Sequence, residues 1–233
     1  MEHLLKEFLC LSLCREKDAE AWTYFMRREL QEIVPSLFLG PYSSAAKNKL
    51  PELKKLGITH VICIRESLEA KFIKPKFPQF LRYLVLEIAD NPLENIVCFF
   101  PMSKEFIDAS LQSGRKVLVH GNVGISRSTS LVIAYVMETF RMKLNDAFTL
   151  VKRKSFCVHP NAGFLCQLQE YEAICLAKLT VQLSPLKLEK ATSFQANTSG
   201  NLKQRHEKEE EPGAKHYRHH RLYDISSEQH YKY

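Results

Sequence analysis

The chain reads as an α/β fold: a central, mostly parallel, twisted sheet with helices on both faces. Three observations predict it. Ile58-Thr59-His60-Val61-Ile62-Cys63-Ile64 is a nearly continuous apolar run, the pattern of a strand buried on both faces of a parallel sheet. Strand-like and helix-like segments alternate along the chain, as parallel strands joined by crossover helices require. Finally, Val117-Leu118-Val119 leads through a short loop into Ser128-Thr129-Ser130-Leu131-Val132-Ile133-Ala134-Tyr135-Val136-Met137, which gives strand, tight loop and helix in sequence.

In chain order, Glu32-Ile33-Val34-Pro35-Ser36-Leu37-Phe38-Leu39-Gly40 predicts a short strand or hairpin. Residues 43–56 predict a helix closed by Gly57, because glycine accepts the left-handed backbone of a helix C-terminus. Tyr83-Leu84-Val85-Leu86-Glu87-Ile88 predicts the strand after Ile58–Ile64. Residues 99–112 have helical spacing and close at Gly114. Beyond the loop, residues 144–154 and 161–178 predict two more helices, the second introduced by Pro160. After Pro185 the composition turns to Ser, Thr, Asn, Gly and Lys, followed by Glu207-Lys208-Glu209-Glu210-Glu211 and an end rich in His, Tyr and Arg. The expected organisation is an N-terminal extension over 1–25, a domain over 26–180 and a disordered polar tail over 185–233.

Composition narrows the class. With 233 residues, 45% hydrophobic and 25% charged, the chain can build one core of ordinary size with appendages. Seven cysteines, an odd number, sit in apolar segments such as those around Cys63 and Cys175, so they read as buried thiols of a reducing compartment. Cytoplasm and nucleus are the expected locations. The only N-terminal apolar stretch, residues 4–14, is broken by Lys6 and Glu7, which makes a poor secretory signal, and no membrane span is expected. Net charge is +7 and the pI is about 9.0, yet no basic helix or aromatic-basic repeat points to nucleic acid. Such a surface suits acidic or phosphorylated protein partners. Cys10 and Cys14 have no second pair at ligand spacing, so neither a metal nor another cofactor is expected.

The chemistry is concentrated in His120-Gly121-Asn122-Val123-Gly124-Ile125-Ser126-Arg127-Ser128. A loop between a strand and a helix N-terminus turns several backbone N–H groups toward one point, where the helix dipole also favours an anion. Gly121, Asn122, Val123, Gly124, Ile125, Ser126 and Arg127 are thus the candidate phosphate-binding residues. Arg127 is expected to close a planar fork on two phosphate oxygens. Ser128 is placed to cap the following helix.

This segment resembles the H-C-x5-R-S signature of the cysteine-dependent protein phosphatases, but here it reads H-G-x5-R-S. Leu37-Phe38-Leu39-Gly40, Asp90, the Val117–Ser128 segment, the Val132–Met137 run, Pro160-Asn161, Phe164 and Gln167-Leu168 narrow the resemblance to the dual-specificity phosphatase family. Trp22-Thr23-Tyr24, Gly40-Pro41-Tyr42-Ser43-Ser44 and Phe72-Ile73-Lys74-Pro75 bring it nearest to a glycine-loop pseudophosphatase. Residues 214–233 match nothing in the family, as in a paralogue or variant. The resemblance implies the phosphatase fold and puts Gly121 where the cysteine would attack phosphorus. It puts Asp90 at the general-acid position, and His120 and Ser128 in support of the loop. It also implies mitogen-activated protein kinases, or an F-box-type ubiquitin-ligase subunit, as candidate partners.

Glycine has no side chain, so no covalent phosphocysteine can form. Ser126 is a loop hydroxyl without an adjacent base, and Cys157 and Cys166 have no anion loop behind them. The expected catalytic set is therefore empty. Without a thiolate beneath the phosphate, a repulsion of roughly 4 kcal/mol between unit charges ~4 Å apart also disappears. Three readings remain at this level: a phosphoprotein-binding pseudophosphatase, an interaction module with a vestigial pocket, and a weak enzyme.

Overall fold

The computed structural model describes residues 29–183 and 221–223. The described strands form one six-stranded sheet. β1 (Gln31–Val34) and β2 (Leu37–Pro41) form an antiparallel hairpin at one edge. β2, β5 (Lys116–Gly121), β3 (Ile58–Arg65) and β4 (Arg82–Glu87) run parallel. At the far edge β6 (Arg221–Tyr223) lies antiparallel to β4.

Because successive residues of a strand face opposite sides, β3 feeds two cores. Ile62 and Ile64 join Leu84, Leu86, Val117 and Val119 in one, which is covered by α2 (Phe100–Gln112), α3 (Arg127–Phe140), α4 (Leu144–Lys154) and α5 (Ala162–Leu183). Val61 and Cys63 join Phe38, Tyr83, Val85 and Leu118 in the other. That second face is covered by the short α1 (Leu50–Leu56) and by the connection after β3, which contributes Ile73, Phe77 and Leu81. Helices do flank both faces, but very unequally.

The helix expected over 43–56 is confined to its last two turns. Residues Tyr42–Ala45 and Lys47–Lys49 are separate 3-10 turns, split by the extended backbone of Ala46 at φ −68° and ψ 162°. Pro51 starts the α-helical part, where its missing N–H is not needed, and Gly57 closes it at φ 77°. Within the stretch expected to be a polar tail, residues 221–223 form β6, with Leu222 in register with Leu84. Residues 1–28, 184–220 and 224–233 lie outside the described residues, as do Cys10 and Cys14. Of the five described cysteines, Cys63 and Cys175 are buried, and burial pushes their thiols up to about 12 and about 11, whereas Cys98 and Cys166 are exposed and Cys157 half-buried, so the expectation of buried thiols holds only in part.

Candidate functional site: a phosphate-type loop built around Gly121

The parallel strands all end on the same side of the sheet, and the loops after β3, β4 and β5 meet there, the usual place for a site in an α/β fold. Gly121 is the last residue of β5 and Arg127 the first of α3, so residues 122–126 turn between them. The loop is held by its carbonyls. Tyr42 N–H donates to Asn122 O (3.1 Å), His159 N–H to Ile125 O (2.8 Å) and Ser130 N–H to Ser126 O (2.9 Å). The Thr129 hydroxyl donates to Gly124 O (3.1 Å), and the Ser130 hydroxyl also reaches Ser126 O.

With the carbonyls bonded to the surroundings, the N–H groups of residues 122–127 donate to no described residue. A tight loop leading into a helix N-terminus leaves such amides for water or an anion, so this run is the candidate anion-binding lining of the loop. Gly124 makes the turn possible. Its φ is +77°, and a Cβ there would lie 2.7 Å from the Gly40 carbonyl carbon. Gly121 differs: its backbone is not left-handed, and an added Cβ would sit 3.5 Å from Ser128 Oγ and 3.9 Å from Ile64 O, ordinary contact distances. Turn geometry therefore does not require glycine at 121.

Arg127 is 6% exposed and already has a partner that the sequence did not reveal. Glu69, on the 3-10 turn Ser67–Lys71 after β3, accepts from Arg127 Nη1 at 2.6 Å and from Nη2 at 3.0 Å. Arg127 Nη1 also donates to Ile88 O at 3.1 Å. Of the five guanidinium N–H groups, these bonds take three; the Nε–H and the second Nη2–H, the side-on fork, make no hydrogen bond to a described residue, and Nε has Asp90 Oδ2 at 3.7 Å. Glu69 also accepts from the Asn122 amide (2.8 Å) and from Glu66 N–H (2.9 Å). Burial alone would raise the Glu69 carboxyl, but the bonds from Arg127, Glu66 and Asn122 outweigh it and hold it below its ordinary value.

Asp90 stands at the mouth. Its Oδ1 accepts from the Ser126 hydroxyl (2.7 Å) and the Asn161 amide (3.0 Å), while Oδ2 lies 3.7 Å from Arg127 Nε; contrary to the expectation from sequence, the Ser126 hydroxyl therefore does have a carboxylate beside it. Asn161, at the start of α5, also donates its N–H to Ser126 Oγ (3.2 Å). Gly163 lets α5 approach the Asp90-Asn91-Pro92 turn, since a Cβ there would fall 1.9 Å from Pro92 O. Asp90, at the position the resemblance gives to a general acid, thus braces the loop.

His120 is fully enclosed. Burial lowers its pKa to about 4, so the ring is neutral, with Nδ1 3.3 Å from Gly121 O and the Tyr42 ring 5.9 Å away. The expected cap by Ser128 is not made. Ser126 occupies the N-cap position without a side-chain cap bond, and the Ser128 hydroxyl, buried beside Gly121, bonds to nothing described. Ser128 lies one residue inside the helix, so its side chain faces the cradle rather than the first-turn amides.

The loop collects all the predicted residues, 120–128, with Asp90 against them. Glu69, Asn161 and Gly163 were missed. Only the Glu66/Glu69 spacing carried a signal, and it is one for a capping box, which is indeed formed. Among the described residues no cluster of three or more His, Cys, Asp or Glu could hold a metal, and no helix is long and apolar enough to cross a membrane.

A parallel sheet, an amide-lined loop ending in a buried arginine and an acid on the neighbouring loop together define a phosphatase-type domain. Residues 37–174 match the family model described as the dual specificity phosphatase catalytic domain, and the chain belongs to that family. Within it, the chain is 64% identical over 214 residues to the human serine/threonine/tyrosine-interacting protein, a match covering 91% of this chain and 96% of that one. It is 37% identical over 145 residues to dual specificity protein phosphatase 1B of Arabidopsis thaliana, covering 62% and 83% of the two chains. The crystal structure of the human tyrosine phosphatase-like serine/threonine/tyrosine-interacting protein superposes with a TM-score of 0.63 at 70% identity, covering 64% of this chain and 99% of that one. The more similar relatives are named as interacting proteins rather than as phosphatases.

Proposed function

We propose that the chain is a catalytically inactive pseudophosphatase of the cytoplasm and nucleus that binds phosphorylated Ser, Thr or Tyr in other proteins. It regulates them by anchoring them or by competing with active phosphatases. The observation that carries this reading is the run of N–H groups at 122–127 with no described acceptor, ending at a buried arginine whose side-on fork makes no hydrogen bond to a described residue, in a loop that opens on a residue without a side chain. Charge-assisted bonds to such a cradle contribute ~1.5–3 kcal/mol each. With Gly121 beneath it, a bound phosphate meets no attacking atom and stays esterified. Mitogen-activated protein kinases are the phosphorylated partners to try first.

A second reading has its own observation. The Glu69 and Asp90 carboxylates both face Arg127, so the side chains around the cradle carry one positive and two negative charges, and a dianion must enter against them. If that opposition wins, the pocket is vestigial and the chain is an adaptor working through another surface, with an F-box-type ubiquitin-ligase subunit as the partner to test.

Isothermal titration with matched phosphorylated and unphosphorylated partner peptides separates the two. The first reading expects binding only with phosphate, weakened roughly tenfold or more by Arg127→Lys, because a point charge cannot reproduce the fork. Lysine keeps a positive charge beside Glu69, and an unfolding scan confirms that the variant is folded. Equal affinity with and without phosphate leaves the adaptor reading.

A further inference from the structure

The loops that converge on Gly121 expose apolar side chains in a pattern the phosphate cradle does not need. Leu68 is 82% exposed and Phe72 51%, both in the connection after β3; Leu93 is 92% exposed after β4, and Val123 46% after β5. Each is tied closely to the cradle. Leu68 precedes Glu69, which bonds to Asn122 and Arg127. The Phe72 carbonyl accepts from the Tyr42 hydroxyl, and Tyr42 N–H in turn holds Asn122 O. Leu93 is three residues beyond Asp90, which bonds to Ser126, and its own N–H is fixed by the Asn91 side chain at 2.9 Å. Val123 belongs to the loop itself.

Single exposed apolar residues are unremarkable, but four on three rigidly connected loops around one anion cradle mark a contact surface. Two exposed lysines, Lys71 and Lys74, stand in the same connection as Leu68 and Phe72. They add positive potential on that side, which favours an acidic, phosphorylated occupant over a neutral one.

We infer that the cradle and this rim form one recognition surface, whose occupant is a phosphorylated segment of another protein carrying large apolar side chains on both sides of the phosphorylated residue. The phosphate takes the amides and the Arg127 fork. One flanking side chain packs on Leu68 and Phe72, and the other against Leu93 and Val123. This rests on the phosphate-binding reading above and adds the sequence class to it.

The test is a set of four short peptides, made in phosphotyrosine and phosphothreonine series. Flanks of Leu and Phe or of Ser are combined with and without the phosphate, and binding is read by fluorescence anisotropy. The apolar-flanked phosphopeptide is expected to bind roughly tenfold more tightly than its Ser-flanked twin, the gain from covering part of two apolar side chains. Leu68→Ser and Leu93→Ser, both at exposed positions, should each remove about three- to tenfold of that gain and leave the Ser-flanked phosphopeptide unchanged. Phosphate-dependent binding that ignores the flanks overturns this inference and spares the phosphate reading. Binding of apolar-flanked peptides regardless of phosphate, or of none of the four, overturns the phosphate reading and this inference with it.

Discussion

Replacing Glu69 by alanine should cost the fold more than any other single change among the loop-facing side chains. The carboxylate and the Arg127 guanidinium are only 8% and 6% exposed and meet in a two-pronged pair at 2.6 and 3.0 Å. Deleting one member of such a pair leaves the other charge buried without its counter-ion, at about 3–5 kcal/mol. Arg127 would keep the Ile88 carbonyl at 3.1 Å and the more distant Asp90 carboxylate at 3.7 Å, so the lower end, about 3 kcal/mol, applies. In a domain of this size 1 kcal/mol shifts the midpoint by roughly 2–4 °C, which puts the Glu69→Ala shift at roughly 6–12 °C. Glu69→Gln keeps the shape and one acceptor oxygen and should fall between. The assay is thermal unfolding followed by circular dichroism, run as a cycle with Arg127→Ala and the double variant. The double variant should be more stable than the sum of the single losses predicts, because no charge is stranded in it. A midpoint within about 1 °C of the unmodified chain for Glu69→Ala, or strict additivity across the cycle, would refute the argument that this pair neutralises the buried arginine.

Two further outcomes follow from the same geometry. Gly121→Cys should fold normally, since its Cβ meets nothing closer than 3.5 Å, and should release phosphate from aryl phosphates where the unmodified chain releases none; a thiol that titrates low without turnover would mean that the cradle does not present phosphorus to it. Stability should also fall on acidification, with two groups of the site contributing beside His60 and Glu138, whose values are lowered in the same direction. His120 stays neutral in the fold down to about pH 4 while the unfolded chain takes up its proton near 6.5, so up to about 3 kcal/mol is lost as pH falls across that interval. Glu69, held below its ordinary value, adds a loss below about pH 4.5. His120→Asn should flatten the slope between pH 6.5 and 4 in urea titrations, and an unchanged slope would assign it to other groups.

The parts of the fold legible in the sequence were those in which a short stretch decides its own structure. The apolar run Ile58–Ile64 has no alternative to a buried strand, and Leu144–Lys154 forms a helix with the limits its periodicity suggested. The loop was equally plain, because a strand, two glycines and an arginine at fixed spacing are local features. What stayed hidden depends on partners far away in the chain. Glu69 lies 58 residues from Arg127 and reads locally as one more charge on an exposed turn. Asn161 braces Asp90 across 71 residues, and Gly163 looks like a weak spot in a helix until Pro92 is seen against it. The helix expected over 43–56 failed for a local reason that spacing does not report: Ala46 takes an extended backbone that resets the chain before Pro51. β6 was missed because three residues without periodicity gain their conformation only from the edge of β4.

The carbonyls of the Gly121 loop are gripped from outside by Tyr42, His159, Thr129 and Ser130. Order in the loop is therefore settled when the domain folds and does not wait for a ligand. A visiting anion has no floppy segment to immobilise, so little of its intrinsic attraction is spent on conformational entropy, and modest contacts suffice for measurable affinity. In an enzyme such a rigid receptor serves the moment of bond transfer. On the pseudophosphatase reading proposed above there is no bond to transfer, and the same rigidity would lengthen or shorten only one thing, the time a partner stays.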